Sequence, residues 1–229
     1  MDDLNLSQKS NQTQTTKQGG PHFDPQLIGA NQSPPEFTAQ TGYFLKRPFD
    51  LLASSLALVI LSPVFLVIAL IIKRTSPGPI FFRQERLGRK EKPFVILKFR
   101  SMRTDSEATG PQFTTTNDAR ITKIGKFIRK TSLDEIPQLI NIFRGEMSMI
   151  GPRPYIGFEL ADASPCSRQK RASVRPGVSG LAQVSGRSQL SQTAVIEYDL
   201  AYVEKCSLRF DLGIVFKTIQ KVLACEGTN

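Results

Sequence analysis

Tryptophan is absent from the 229 residues, histidine occurs once and cysteine three times. The one histidine, His22, stands in a polar stretch. A Ser-His-Asp triad, a histidine metal site and a Cys-His pair are therefore excluded from the folded part. Cys166, Cys206 and Cys225 are too few and too scattered for a disulfide framework, and no CxxC spacing links them, which removes a thiolate zinc site. No Walker loop and no GxGxxG fingerprint is present. Any catalysis must come from carboxylates, arginine, lysine or backbone groups. Negative charge is also scarce, with 20 acidic against 30 basic side chains and a net charge of +10. That surplus suits phosphorylated substrates, an acidic membrane surface or nucleic acid. No recognisable RNA- or DNA-binding motif accompanies it, so no nucleic acid is expected.

Residues 1–42 are rich in Gln, Asn, Thr, Ser, Gly and Pro and poor in large apolar side chains, which predicts a disordered polar tail. No basic start followed by an apolar run marks it as a signal peptide. Asp2, Asp3, Asp24 and Glu36 outnumber Lys9 and Lys17, so the basic surplus belongs to residues 43–229, one catalytic-sized domain. Within that domain, residues 51–72 carry no charge. A straight helix of that length just spans a bilayer core, at about 1.5 Å per residue.

Two features compete with a simple span. Ser62-Pro63 sits near the middle, where proline removes a helical hydrogen bond and predicts a kink. Both flanks are basic, with Lys46 and Arg47 before and Lys73, Arg74, Arg83 and Arg86 after, and the positive-inside rule wants both on the cytoplasmic side. A re-entrant helix over about 48–74, broken at Ser62 and Pro63, satisfies both flanks, while a kinked span remains the alternative. Asp50 suits a helix N-terminus or a nearby cation.

Beyond the turn at Ser76-Pro77-Gly78-Pro79, the apolar runs 80–82 and 94–97 read as two short strands joined near Leu87-Gly88-Arg89-Lys90. Residues 105–119 read as a loop. Ile121, Ile124, Phe127 and Ile128 fall at helical spacing among Arg120, Lys123, Lys126, Arg129 and Lys130. Such a helix either lies in an anionic interface or packs on the core with a solvated basic face. Ser132 and Glu135 fit a capping box, which puts Asp134 and Glu135 at a helix N-terminus. Adjacent carboxylates in a basic neighbourhood suit Mg²⁺ binding or attack on phosphorus, and equally suit plain capping. Gly151-Pro152-Arg153-Pro154, Arg175-Pro176-Gly177 and Gly186-Arg187 present arginine forks on Gly/Pro-rich loops, a pattern for a phosphate-bearing ligand or for ordinary turns. Leu212, Val215, Phe216, Ile219, Val222 and Leu223 form one stripe of a C-terminal helix, expected to pack on the core, with an interfacial role as second choice.

The ordered motifs Lys46-Arg47-Pro48-Phe49-Asp50, Ser62-Pro63, Pro77-Gly78-Pro79-Ile80-Phe81-Phe82, Gln84-Glu85-Arg86-Leu87-Gly88 and Lys98-Phe99-Arg100-Ser101-Met102 resemble those of the bacterial sugar transferases, the monotopic polyprenol-phosphate phosphoglycosyltransferases. The resemblance continues through Thr131-Ser132-Leu133-Asp134-Glu135-Ile136-Pro137-Gln138-Leu139, Gly151-Pro152-Arg153-Pro154, Arg175-Pro176-Gly177-Val178-Ser179-Gly180-Leu181-Ala182-Gln183-Val184 and Asp199-Leu200-Ala201-Tyr202-Val203, and covers roughly residues 43–224. Ser101 stands where the family usually has Thr, and Cys206 where it commonly has Trp.

The resemblance implies transfer of a sugar-1-phosphate from a UDP-sugar to undecaprenyl phosphate, with release of UMP, at the cytoplasmic face of the bacterial inner membrane. It implies a ping-pong reaction with Mg²⁺, Asp134 as nucleophile and Glu135 as its partner carboxylate, both near the metal. Arg129 joins them as a catalytic residue and, with Lys98 and Arg153, falls to the phosphate surroundings; Arg100, Pro154 and Arg175 fall to substrate binding, and Arg187 and Asp199 to the nucleotide or sugar. The expected fold is α+β: a re-entrant helix in a phospholipid membrane, amphipathic interfacial helices and a small cytosolic sheet region. A homodimer is left open. The competing reading is a catalytically silent membrane-anchored partner, or anionic-ligand-binding protein, of a polysaccharide assembly complex.

Overall fold

The uncharged run lies inside a single helix, α1 (Lys46–Thr75), in the computed structural model, which describes residues 44–104, 118–160, 163–186 and 190–224. All of them belong to the second of two units, Met1–Pro35 and Glu36–Asn229. The expected tail and most of the loop at 105–119 lie outside the described residues. With 30 residues α1 is about 45 Å long. Pro63 does not split it, contrary to the expected helix-break-helix. The carbonyl that its missing N–H would have engaged, that of Val59, accepts instead from Ser62 Oγ at 2.8 Å.

One stripe of α1 packs on the rest of the molecule along the whole helix. Lys46, Asp50 and Ser54 are buried in the first half and Ile68 and Ile72 in the second, with Ala57, Leu58, Leu61 and Phe65 packed between them. Among the described residues, Asp50 forms no ion pair. Its Oδ1 accepts from Ser148 Oγ and from the Met149 N–H, both at 3.0 Å. Leu52, Leu56, Val59, Ile60, Leu66 and Val67 are exposed on the other side. An apolar face of that extent marks a contact with lipid or protein rather than water.

The two expected strands form a hairpin, β1 (Phe81–Leu87) with β2 (Pro93–Phe99), antiparallel with Phe82 opposite Lys98 and Arg83 opposite Leu97. Phe81 and Phe99 pack on Phe65 of α1, with ring centroids 5.8 and 4.8 Å away. Helix α2 (Lys123–Lys130) is capped by the Thr122 side chain, which accepts from the Gly125 N–H. Ile128 is buried and Ile124 packs beside it, whereas Phe127 is 56% exposed. A Cβ on Gly125 would lie 1.9 Å from the Ser101 carbonyl oxygen, so only glycine lets α2 approach that strand end. Gly125→Ala is expected to destabilise the fold by about 2 kcal/mol, read as a lowered denaturation midpoint.

Helix α3 (Gln138–Arg144) lies along β2, where the Asn141 side chain accepts from the Leu97 N–H (3.0 Å) and donates to the Val95 carbonyl (2.8 Å). A second, parallel pair joins β3 (Ser148–Ile150) to β4 (Gly177–Ser179), with α4 (Pro165–Arg171) between them in sequence. The Gly177 N–H donates to the Pro152 carbonyl at 2.9 Å, and a Cβ on Gly177 would come 2.1 Å from Gly151 N. Helices α5 (Leu181–Ser185), α6 (Gln192–Lys205) and α7 (Leu208–Leu223) follow.

On helix α7 most of the expected stripe faces outward, while Val215 packs against the core. Asp211 and Ile214 are buried, while Leu212, Phe216, Ile219 and Val222 are exposed. The cause is a buried ion pair between Lys46 of α1 and Asp211. Tyr202 joins it, accepting from Lys46 Nζ at 3.0 Å, with its hydroxyl 2.8 Å from Asp211 Oδ1. That network draws the Asp211 side of α7 inward and leaves the more apolar stripe outside.

Candidate active site

Asp134 and Glu135 stand on a short 3₁₀ turn, Leu133–Glu135, that leads into α3 through Ile136-Pro137. The expected capping box does not form. Ser132 is in the left-handed conformation with φ 57° and makes no side-chain cap bond. Glu135 Oε1 accepts from Lys98 Nζ of β2 at 2.8 Å instead. A lysine reaching across from the hairpin offers a stronger partner than the neutral N–H of a cap.

Four of the expected residues gather here. Burial pushes the Asp134 carboxyl up to about 6, and the neighbouring Glu135 charge acts in the same direction. Lys98, Arg129 and the Asp134 backbone N–H oppose them. The result is a half-buried carboxylate, ionised at neutral pH but held in a poorly solvating setting near two cations. Poor solvation raises the nucleophilicity of an anion, and the cations supply compensating charge for an incoming phosphate.

The sign of the linkage follows from the raised value. Asp134 binds its proton more tightly in the folded chain than at the ordinary 3.8, so stability falls as pH rises from about 4 to 6 and the penalty persists above that. Asp134→Asn removes it, and is expected to raise stability by roughly 2 kcal/mol at pH 8. Unfolding of both proteins at pH 8 and below pH 4 checks this, the two curves converging at the acid end.

Among the described residues, no three His, Cys, Asp or Glu side chains gather as a metal site. A preformed all-protein cage is thus missing there. Mg²⁺ ordinarily takes one or two carboxylates and completes its shell with phosphate oxygens and water. The adjacent hard oxygens of Asp134 and Glu135 fit that mode.

A second group surrounds the Gly151-Pro152-Arg153-Pro154 loop. Arg171 of α4 is buried, donates from Nε to Asp199 Oδ2 at 2.8 Å and also bonds the Arg153 carbonyl. Its guanidinium lies 4.4 Å from the centre of the Tyr155 ring. Arg86 of β1 donates to the Pro154 carbonyl at 3.2 Å and to Glu159 at 3.1 Å. Arg153 itself is exposed, on a loop gripped from behind. Asp199 is fully buried, with burial pushing its carboxyl up against the pull of Arg171. It reaches the loop through Arg171, which bonds both. Arg86, Tyr155, Glu159 and Arg171 were not singled out as site residues from the sequence. Partners up to 73 positions apart, as Arg86 and Glu159 are, leave no local pattern to find.

The remaining expected residues lie elsewhere. Arg100 is buried and donates to the Ser76 and Pro77 carbonyls at 2.7 and 2.8 Å, so it fastens the turn after α1 rather than facing a ligand. Arg175 donates to the Gly145 carbonyl at 2.8 Å, beyond the far end of α3 from the carboxylate pair. Arg187 lies outside the described residues.

The family model described as bacterial sugar transferase matches residues 41–225. A UDP-N-acetylgalactosamine-undecaprenyl-phosphate N-acetylgalactosaminephosphotransferase of Aeromonas hydrophila is 43% identical over 189 residues, 80% of this chain and 45% of that protein. A UDP-glucose:undecaprenyl-phosphate glucose-1-phosphate transferase of Klebsiella pneumoniae is 40% identical over 208 residues, 88% of this chain and 42% of that protein. Exopolysaccharide production protein ExoY of Rhizobium meliloti (strain 1021) is 37% identical over 231 aligned positions, 93% of this chain and 98% of that protein. The chain thus spans less than half the length of the first two relatives and nearly all of the third.

Proposed function

Because the chain belongs to the bacterial sugar transferase family, we propose that it transfers a sugar-1-phosphate from a UDP-sugar to undecaprenyl phosphate and releases UMP. The observation that carries this reading is the Asp134-Glu135 pair, with Lys98 bonded to Glu135, Arg129 close enough to act on Asp134, and Asp134 raised to about 6 by burial. Relatives named for that transfer to undecaprenyl phosphate support it.

In the first half-reaction an Asp134 carboxylate oxygen attacks the sugar-bearing phosphorus of the donor. The bond from that phosphorus to the bridging oxygen breaks, UMP leaves with the electron pair, and a phosphosugar remains on Asp134. In the second, an oxygen of undecaprenyl phosphate attacks the same phosphorus and the Asp134 carboxylate departs, giving the lipid diphosphosugar. Lys98 holds Glu135 beside the nucleophile, and Arg129 adds positive charge where the pyrophosphate sits, so the chemistry rests on positioning and charge neutralisation. Asp134 and Glu135 would hold Mg²⁺, which when bound neutralises charge on the phosphate oxygens. Arg153, presented by the gripped loop, is the candidate fork for the nucleotide phosphates.

The same reading puts α1 in the cytoplasmic leaflet of the bacterial inner membrane, as one continuous helix with both ends at the surface. Both halves of α1 pack on the body, and both flanks are basic, which supports that path over a perpendicular span. The outward Leu212, Phe216 and Ile219 of α7 and Phe127 of α2 support an interfacial setting for those helices.

The test is UMP release by the purified chain in nanodiscs, with undecaprenyl phosphate, Mg²⁺ and a panel of UDP-sugars. Turnover with at least one donor is expected. Silence across the panel, from folded protein, would favour the catalytically silent partner.

A further inference from the structure

A second, strongly basic feature lies apart from the carboxylate pair. An open groove of about 970 Å³ is lined by Arg83, Arg89, Lys90, Lys92, Arg144 and Arg175, over a floor that includes Phe94 and Val95. Glu146 is the one acidic residue in its lining, and its Oε2 already accepts from Asn141 Nδ2 at 2.6 Å. Glu85, opposite Val95 on the same strand face, is exposed beside it. The balance of charge stays heavily positive. Arg83, Lys90, Lys92 and Arg144 are exposed.

Its place in the fold sets it off from the chemistry. Alternation along β2 puts Val95 and Leu97 on the face opposite Lys98, the residue that holds Glu135, while Phe94, on the Lys98 face, stands near the other end of the strand. Arg144 stands at the C-terminal end of α3, whereas Asp134 and Glu135 precede its N-terminal end, and seven helical residues separate the two by about 10 Å.

The hairpin and α3, which line the groove, each meet α1. Phe81 and Phe99, on the same strand face as Arg83 and Leu97, pack on Phe65 of α1. At the other rim, Arg47 of α1 donates to the Ile142 and Phe143 carbonyls at 2.6 and 2.9 Å, just before Arg144. Resting on the reading that α1 lies in the leaflet, the groove opens at the level of the lipid phosphates.

We infer that this groove is a docking site for the headgroups of anionic phospholipids, separate from the acceptor lipid's place at Asp134. Cations near such a surface each strengthen attachment about five-fold. The apolar floor suits the glycerol end of a lipid better than a fully hydrated ion. Occupation would fix the hairpin, and Lys98 with it, against the membrane.

The absence of tryptophan makes a clean reporter available. Val95→Trp puts one indole on the groove floor, at a site 45% exposed in the native chain. The full chain is assembled into nanodiscs of phosphatidylcholine with increasing phosphatidylglycerol, and tryptophan emission is followed. A saturable blue shift with phosphatidylglycerol is expected. Arg83→Gln, Lys92→Gln and Arg144→Gln should each raise the half-saturating fraction about five-fold, while leaving UMP release in detergent unchanged. No response to phosphatidylglycerol, or a response that the three variants leave alone, would overturn the inference. The same shift from inorganic phosphate in pure phosphatidylcholine would make it a soluble-anion site and overturn the lipid assignment. Failure of the protein to stay in the nanodisc, seen on gel filtration, would overturn the α1 reading and the inference together. Retention without response sinks the inference alone.

Discussion

Asp134→Asn is expected to lower the rate of UMP release by about four orders of magnitude or more, into the background of the assay. The amide keeps the size and shape of the carboxyl and loses the anion that must attack phosphorus. Misfolding does not explain the loss, because the same change removes a desolvated charge and should raise stability at pH 8. The wild-type rate should climb with pH through about 6, the value at which Asp134 ionises. A bound metal ion at the pair would draw that midpoint lower. Glu135→Gln should be milder, since Glu135 acts beside the nucleophile and its Lys98 bond can be kept in part by the amide oxygen. Initial rates across pH 5–9 for the three proteins separate these roles. A variant lacking the Asp134 carboxylate that still turns over within ten-fold of wild type would remove Asp134 from the mechanism.

Asp199→Ala carries the largest expected cost to stability, about 3–5 kcal/mol. It strands the buried Arg171 guanidinium, which Asp199 now pairs at 2.8 Å. Asp199 Oδ1 is buried with no hydrogen-bond partner among the described residues, so part of the carboxylate is already poorly solvated in the native chain. Replacing both members by apolar residues, Arg171→Met with Asp199→Leu, should recover much of the loss, because the pair itself is close to neutral once its desolvation is counted. Function should not recover with it. Arg171 also holds the Arg153 carbonyl, and with that grip gone KM for the UDP-sugar should rise more than kcat falls. Denaturant unfolding and steady-state kinetics on the single and double variants give both numbers. Full activity in the stable double variant would free Arg153 from any dependence on Arg171.

Local pattern in the chain carried the elements whose causes are local. The hairpin followed from two apolar runs around Gly88, and α1 from 22 residues without charge between basic flanks. Helix α2 followed from its spacing, yet Phe127 turned outward, since a periodic stripe names a face without saying whether protein or lipid covers it. The C-terminal stripe misled for the same reason. What decides the facing of α7 is Lys46, 165 positions away from Asp211. The strands β3 and β4 have three residues each, too short to show alternation, and Gly177, which pairs with Ser148, has no side chain to count.

The candidate site divides in the same way. Asp134 and Glu135 are neighbours in the chain and announced themselves as a charged pair next to a basic helix. Lys98 and Arg129 became their partners through the fold, with Lys98 37 positions from Glu135. Arg100 looked like one more phosphate-binding arginine, but its place under the turn at Ser76-Pro77 depends on how α1 meets the hairpin, which no local motif encodes. The capping box at Ser132 was a sound local pattern that lost to a lysine supplied from elsewhere in the fold.

The decisive measurement is the mass of the protein after exposure to its donor without the lipid acceptor. The purified chain is mixed with the active UDP-sugar and Mg²⁺, quenched in acid, weighed intact and digested. One added sugar phosphate is expected, on the peptide that contains Asp134, and undecaprenyl phosphate added before the quench should remove it. Steady turnover with both substrates, but no adduct at any time without the acceptor, would mean direct displacement of UMP by the lipid and would contradict a covalent role for Asp134.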